Sequence, residues 1–351
     1  MRILMLVNWH VPIVDAVPEN RQAPDYQLRN SDYWFFRYFN EKPEVDVLDV
    51  AGTGLWDYIE RRVLHVHLIQ GIRAVCRMHR YDLVISHGMT SGIVVAAFRT
   101  LFHAPPKHLV FDIGCFNSAA ESGLMMRVLQ CASRSINAVV YHAKCQGEYY
   151  RRFYPWIAKK SRFIPYGANV DEFAPAENRK CDGSILCVGY IRRDWDTLMK
   201  AYVGLHTDRK LRIVGHVSED YLGVPGVEQI PAVPVDELKA MIQAAYFCVL
   251  PLASMRYAYG QMTLQQQMAM EKCVITANVP SVEGYVENGR TALLYRPGDA
   301  EDLRSRMEYA LAHPDDVQRI GREARRFLTE QCNEQIMARQ AEDYIRSVME
   351  S

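Results

Sequence analysis

Two adjacent guanidiniums stand where a strand gives way to a helix. In GYIRRDWDTL (189–198) the apolar run before Gly189 ends, Arg192 and Arg193 follow, and a helix reads from Asp194. Arginine forks grip phosphate oxygens bidentately, so the pair suits a diphosphate. It equally suits a solvated basic turn, with Asp194 capping the helix and Trp195 packing it. A second stretch, YAYGQMTLQQQMAMEKCVITANVP (257–280), reads as a helix opening at Gly260 after the strand FCVLPL. The first-turn amides of Gln261, Met262 and Thr263 have no partner inside such a helix, and the positive dipole end favours an anion. Thr263 adds a hydroxyl. Three consecutive glutamines follow, Gln265 to Gln267, and no acid occurs until Glu271. An ordinary helix start has the same local pattern.

The first half offers titratable groups at strand ends. Asp112 closes the run HLVFDIG and His87 the run DLVISHG, each just before a helical stretch. A carboxylate or imidazole there can orient a substrate or handle a proton, and it can also cap a turn. His10 is a third candidate of the same kind. By contrast ENGRTALLYRPGDAEDL (287–303) reads as scaffold. It holds an Asn-Gly turn, a strand, a Pro-Gly turn and an Asp299 cap with acids in the next helical turn.

Elements must position these groups, and their order is legible. Apolar strand runs at 2–8, 45–51, 82–88, 108–114, 138–143 and 161–167 alternate with helical stretches at 29–40, 56–79, 90–103, 118–134 and 144–153. A polar segment with Pro, Asn and Gly, about 169–183, reads as a linker. A second alternation has strands at 184–191, 210–216, 227–232, 247–252, 273–279 and 292–297. Its helices fit 194–204, 235–245, 261–270 and 299–312. Residues 313–350 are helical in pattern, divided near Asn333. Strand–helix–strand spacing of this kind predicts right-handed crossovers and parallel sheets buried on both faces. The expectation is α/β with two doubly wound Rossmann-like domains, 1–175 and 184–333, and a helical tail at 334–351. Ligands in such sheets bind beyond the carboxyl ends of the strands, and the cleft between two facing sheets is the natural site.

With 351 residues the chain is long enough for two cores. Its 41 Lys and Arg balance 41 Asp and Glu, so net charge does not suggest a nucleic-acid partner. Residues 1–175 hold 20 basic against 16 acidic residues, a mild polarity. Nine scattered cysteines without a C-x-x-C pair read as reduced thiols. No signal peptide or membrane-length apolar run is visible, which predicts a cytoplasmic protein. No G-x-G-x-x-G follows RILMLVN, which argues against a dehydrogenase.

Taken together in register, Gly189 with Arg192 and Arg193, QMAMEKCVI (267–275), ENGRTALLYRPGD (287–299) and FIPYGANVDEF (163–173) resemble the donor half of GT-B glycosyltransferases, most closely glycosyltransferase family 4. The likeness covers the C-terminal half well and the N-terminal half in strand order only. It implies GT-B architecture, with the acceptor in the first domain, the nucleotide-sugar in the second, and the last helix crossing back to the first. The implied reaction moves a sugar from a nucleotide-diphosphate sugar to an acceptor hydroxyl with retained configuration, and without a metal or cofactor. On the resemblance, Arg193 takes the family's lysine position, Arg192 its basic neighbour, Gly260 to Thr263 the diphosphate, and Gln266 the ribose. Asp112 stands where relatives often carry a histidine near the sugar, with His87 competing for that role. The sequence departs from the pattern in several places. The family's two glutamates around the helix start fall near Tyr257 or Ala258 and at Gln266. Glu271 and Cys273 replace Gly and Pro, and the first loop lacks glycines. The lost acids leave room for a same-fold nucleotide-sugar epimerase or hydrolase, or for a catalytically weak nucleotide-binding protein.

The acceptor would be a sugar, a lipid-linked compound or another small molecule. Residues 56–80 mix apolar positions with Arg61, Arg62, Arg73, Arg77 and Arg80. They suit either a solvated crossover helix or contact with the inner face of a membrane. Met125–Met126 and the aromatic run Tyr33–Phe36 read as core.

Overall fold

In this computed structural model the described residues are 1–50, 60, 66–114, 116, 121–177, 180–189, 192–215, 221 and 223–351. Their contacts divide the chain into two units. One comprises Met1–Pro165, Arg256–Tyr259 and Met337–Ser351, the other Tyr166–Met255 and Gly260–Ile336.

The first unit is built on a six-stranded parallel sheet. Its strands are β1 (Arg2–Leu6), β4 (Glu44–Leu48), β5 (Leu83–His87), β6 (Lys107–Asp112), β7 (Ala138–Tyr141) and β8 (Ser161–Phe163), in the order β4-β1-β5-β6-β7-β8. A two-residue parallel pair, β2 (Ile13–Val14) and β3 (Gln27–Leu28), was not expected from the sequence. The central strands are apolar on both faces because helices cover them. Crossover helices α1 (Leu68–Arg77), α2 (Met89–Phe102), α3 (Leu124–Ala132) and α4 (Lys144–Phe153) pack side by side on one face, with α5 (Pro155–Ala158) after α4. Their inner residues, Ala74, Ile93, Leu129 and Tyr150 among them, meet Leu4, Val84, Val110 and Val139 of the sheet. The crossing of α1 and α2 is tight, since a Cβ on Gly71 would stand 2.3 Å from Val94.

One expected helix is much reduced. Residues 29–40 contain only a 3-10 turn at Trp34–Phe36. Tyr33, Trp34, Phe35 and Phe36 are all buried. Four consecutive buried rings cannot share one helical face, so a turn replaces the amphipathic helix. The Tyr33–Phe36 run is core, as its composition suggests. Of the methionine pair, Met126 is buried, but Met125 is 43% exposed. Most of residues 51–65, the first part of the basic stretch, lie outside the described residues.

The second unit carries another six-stranded parallel sheet: β9 (Ile185–Gly189), β10 (Leu211–Gly215), β11 (Val227–Ile230), β12 (Phe247–Leu250), β13 (Val274–Ala277) and β14 (Leu293–Tyr295), ordered β11-β10-β9-β12-β13-β14. Helices α6 (Trp195–Gly204), α7 (Val235–Ala244), α8 (Gln261–Ala269), α9 (Ala300–Ala312) and α10 (Pro314–Gln331) complete it. A final helix, α11 (Glu334–Glu350), follows a break at Cys332–Asn333.

Residues 166–173 are fastened within the second unit. The Tyr166 carbonyl accepts from Gln265 Nε2 at 2.6 Å and Cys332 Sγ at 3.2 Å, and its amide donates to Tyr285 Oη at 2.9 Å. Gly167 lies so close to Asn333 that a Cβ would come within 2.2 Å of its carbonyl oxygen. Eight described cysteines are free. Among the described residues no helix is long and apolar enough to cross a membrane, and no group of three or more His, Cys, Asp or Glu is arranged to hold a metal ion.

Candidate functional site

The strand order of the second unit reverses at β9. Strands added after it go first to one side (β10, β11) and then to the other (β12 to β14). The crevice of such a sheet opens at this switch point, beyond the carboxyl ends of β9 and β12. The two basic and helix-start motifs follow these two strands.

Their loops are zipped together. Arg193 bridges Leu252 in antiparallel fashion, the Asp194 amide donates to the Pro251 carbonyl at 2.8 Å, and the Ala253 amide donates to the Arg192 carbonyl at 3.3 Å. Asp194 caps α6 by accepting from the Thr197 amide at 3.1 Å and its hydroxyl at 2.7 Å. The loop is thereby held at both ends, and the two arginines diverge. Arg193 is half-buried. Its Nε donates to the Val188 carbonyl at 3.3 Å and its Nη2 to Thr263 Oγ1 at 3.4 Å. Its guanidinium lies over Gly189, where a Cβ would come within 2.1 Å of Nε. Only glycine leaves that space. Arg192 is exposed, has a left-handed backbone (φ 56°), and reaches Met255 Sδ at 3.8 Å.

Thr263 belongs to the first turn of α8. Gly260 caps this helix at φ 78°, a conformation natural to glycine, and a Cβ there would meet Leu252 at 2.7 Å. The first intrahelical bond runs from the Leu264 amide to the Gly260 carbonyl at 3.0 Å. The amides of Gln261, Met262 and Thr263 therefore lie outside the helix's own bonds. Thus Arg193, Thr263 and this first turn come together around one point. Met262 is 42% exposed, and Gln261 is buried.

The glutamines divide by role. Gln261 Nε2 donates to the Ser281 carbonyl at 2.7 Å, tying α8 to the turn after β13. Gln265 holds Tyr166. Gln267 is fully buried with neither amide atom hydrogen-bonded. Gln266, the ribose candidate, is also mostly buried. The helix is enclosed nearly all round, so these side chains mostly serve packing and anchoring. A polar run on an enclosed helix with little amphipathic pattern is the sequence signal for that.

In the first unit, His87 ends β5 and is 8% exposed, with Trp9 edge-on at 4.7 Å. Burial, helped by the nearby His142, pushes its pKa down to about 3, so it is neutral at pH 7. Its Nδ1 is buried without a partner. Asp112 ends β6, fully buried. It accepts from the Gly114 amide at 3.0 Å, from Gln146 Nε2 at 2.9 Å, and from the Tyr150 hydroxyl. A carboxylate enclosed in this way fixes the turn after β6 and the start of α4. Gln146 and Tyr150 were missed by sequence reasoning, because their approach to Asp112 is a long-range contact. His10 Nδ1 lies 2.6 Å from an Asp49 carboxylate oxygen, with the imidazole exposed and the carboxylate half-buried.

The family model for glycosyl transferases group 1 matches residues 182–313, most of the second unit. No curated protein matches the chain. Among solved structures, the chain is similar to sucrose-phosphate synthase of Thermosynechococcus elongatus (19% identity, 100% of both chains, TM-score 0.71). It is also similar to a glycosyltransferase of Rickettsia africae (16% identity, 100% of this chain and 99% of that one, TM-score 0.71). A third is HepE of Anabaena, solved with UDP (13% identity, 99% of this chain and 100% of that one, TM-score 0.73). At these identities what is shared is the fold: two Rossmann-like domains of the GT-B kind with a C-terminal helix.

Proposed function

We propose that the chain is a glycosyltransferase of family 4 type. It transfers a sugar, with retention and without a metal or cofactor, from a nucleotide-diphosphate sugar to an acceptor hydroxyl. The observation that carries this reading is the convergence of Arg193, Thr263 and the first turn of α8, whose amides lie outside the helix's own bonds, at the switch point of the second sheet. When the glycosidic bond to the donor breaks, negative charge grows on the leaving diphosphate. A fixed guanidinium and helix amides stabilise that charge without reorganising. Arg192 supplies a second, more exposed cation, and Gln266 is the candidate ribose contact. HepE was solved with UDP-glucose as well as UDP, which supports a UDP-sugar as the first donor to try. His87, neutral at pH 7, is the candidate group facing the sugar or acceptor, with Asp112 acting through position. The acceptor is a sugar, a lipid-linked compound or another small molecule. Free thiols support a cytoplasmic location, and the basic stretch 56–80 supports contact with the inner face of a membrane.

Thermal shifts with UDP, GDP, ADP, CDP and TDP test the donor site, because a ligand selective for the folded state raises Tm. One diphosphate should stabilise the protein. Arg193→Ala should weaken its Kd by about thirtyfold, the loss of a charge-assisted hydrogen bond worth about 2 kcal/mol. Absence of any shift at millimolar nucleotide overturns the reading. The missing acids around α8 favour one alternative, a nucleotide-binding protein with little turnover. It predicts the same thermal shift but no release of nucleotide with any acceptor. An epimerase or hydrolase would instead form product with no acceptor present.

A further inference from the structure

The sheet of the first unit has a switch point of its own. Strands added after β1 go first to one side (β4) and then to the other (β5 to β8). Its crevice therefore opens beyond the carboxyl ends of β1 and β5. Trp9 follows β1 there, edge-on to His87 at the end of β5, and Met89 opens α2 two residues after His87. Gly88 caps α2 at φ 88° and offers no side chain to its first turn.

That turn is left with donors that nothing satisfies. The first intrahelical bond runs from the Gly92 amide to the Gly88 carbonyl at 3.2 Å, so the amides of Met89, Thr90 and Ser91 lie outside the helix's own bonds. Met89 and Ser91 are 1% and 0% exposed, which shuts their amides off from solvent, and neither amide finds a partner among the described residues. Ser91 Oγ and His87 Nδ1 are buried without a partner as well. Side chains lean toward the N-terminus of their helix, so the Ser91 hydroxyl is directed to the end where the amides are free. Buried donors are nearly always paired in native proteins, so a cluster of unpaired ones marks a place that something else fills. A water there would bring protons of its own that need acceptors, whereas an oxyanion only accepts and also suits the positive end of α2.

We infer that the first turn of α2, with Ser91 Oγ and His87, binds an oxyanion, the phosphate or carboxylate group of the acceptor. Calling its carrier the acceptor rests on the glycosyltransferase reading; the oxyanion site itself does not. The donor's diphosphate has its own cradle at Arg193 and α8, so a second anion site makes the acceptor an acidic one. The test follows the amide resonances of the isotopically labelled full chain during titration with inorganic phosphate or acetate at fixed ionic strength. Those of Met89 and Ser91 should move saturably with at least one of the two, and not with chloride. Tighter binding of phosphate identifies a phosphorylated acceptor, and tighter binding of acetate a carboxylic one. Ser91→Ala removes a buried unpaired hydroxyl, so the variant should fold, yet it should bind the anion about tenfold more weakly, having lost a hydrogen bond to a charged group. Ser91→Asp sets a carboxylate on the same donors and should abolish binding. The phosphate-induced movement should survive saturating UDP. No saturable movement with either anion, or equal affinity in wild type and Ser91→Ala, overturns the proposal and leaves a buried water on the turn. Displacement of phosphate by UDP would overturn it too, by giving the site to the donor. UDP thermal shifts bear on the glycosyltransferase reading alone, so the failure of one is distinguishable from the failure of the other.

Discussion

Arg192 and Arg193 are neighbours in sequence with different surroundings. Arg193 is held over Gly189 and against Thr263, whereas Arg192 points to solvent beside Met255. The difference follows from the short antiparallel bridge between Arg193 and Leu252, which no local pattern reveals. Histidines tell a similar story. His87 and His108 are pushed down to about 3 and His142 to about 4, each chiefly by burial. Unfolded, all three would titrate near pH 6.5. Between that value and their folded pKa values the unfolded chain binds more protons. Their neutral burial is therefore fully compatible with stability above pH 6.5, and stability falls as pH drops below it. Near pH 5 the three together should lower the unfolding free energy by about 4 kcal/mol per pH unit. Urea unfolding of the first unit across pH 4.5–7.5 measures the slope, and His108→Gln should reduce it by about one proton. A flat profile would mean that the imidazoles are not neutral and buried.

At the scale of elements, α8 is the informative helix. Its start was legible: a glycine before polar residues after an apolar strand gives a helix N-terminus, and Gly260 caps it. The role of its glutamines was not legible, because it depends on what encloses the helix. Gln267 is buried with both amide atoms unpaired, which costs free energy. Gln267→Met keeps the shape and removes the unpaired dipole, so it should stabilise the protein by about 1–2 kcal/mol. Gln265→Met releases the Tyr166 carbonyl and should destabilise it by about 1 kcal/mol. Opposite signs for two glutamines two residues apart in one helix, read in one denaturation series, check the assignment, and two losses would refute it.

At the scale of the molecule, the chain's last helix is fastened to the first unit. Glu342 is buried and accepts from the amides of Asn40 and Glu41, both at 2.9 Å, and from Asn40 Nδ2 at 3.1 Å. Lys107 Nζ donates to the Val348 carbonyl at 2.6 Å and the Met349 carbonyl at 3.2 Å, where a cation suits the helix's C-terminal end. Glu342→Ala leaves two backbone donors unpaired and should lower the stability of the first unit by about 2–3 kcal/mol. Urea unfolding followed on that unit's four tryptophans, Trp9, Trp34, Trp56 and Trp156, would read it, and no change would show that the helix end is frayed in solution. Sequence alone determined the α/β class, the two strand series, most helices, the Asp194 cap and the α8 start, because apolar periodicity and turn chemistry are local. The family resemblance assigned Arg193 and Thr263 to one diphosphate. Only the tertiary structure decided that Asp112 is enclosed by Gln146 and Tyr150, that 166–173 is anchored to α8, and that Met125 and Leu124 face outward while Met126 faces in. Those outcomes turn on burial and on hydrogen-bond partners far away in the chain, which no window of sequence contains.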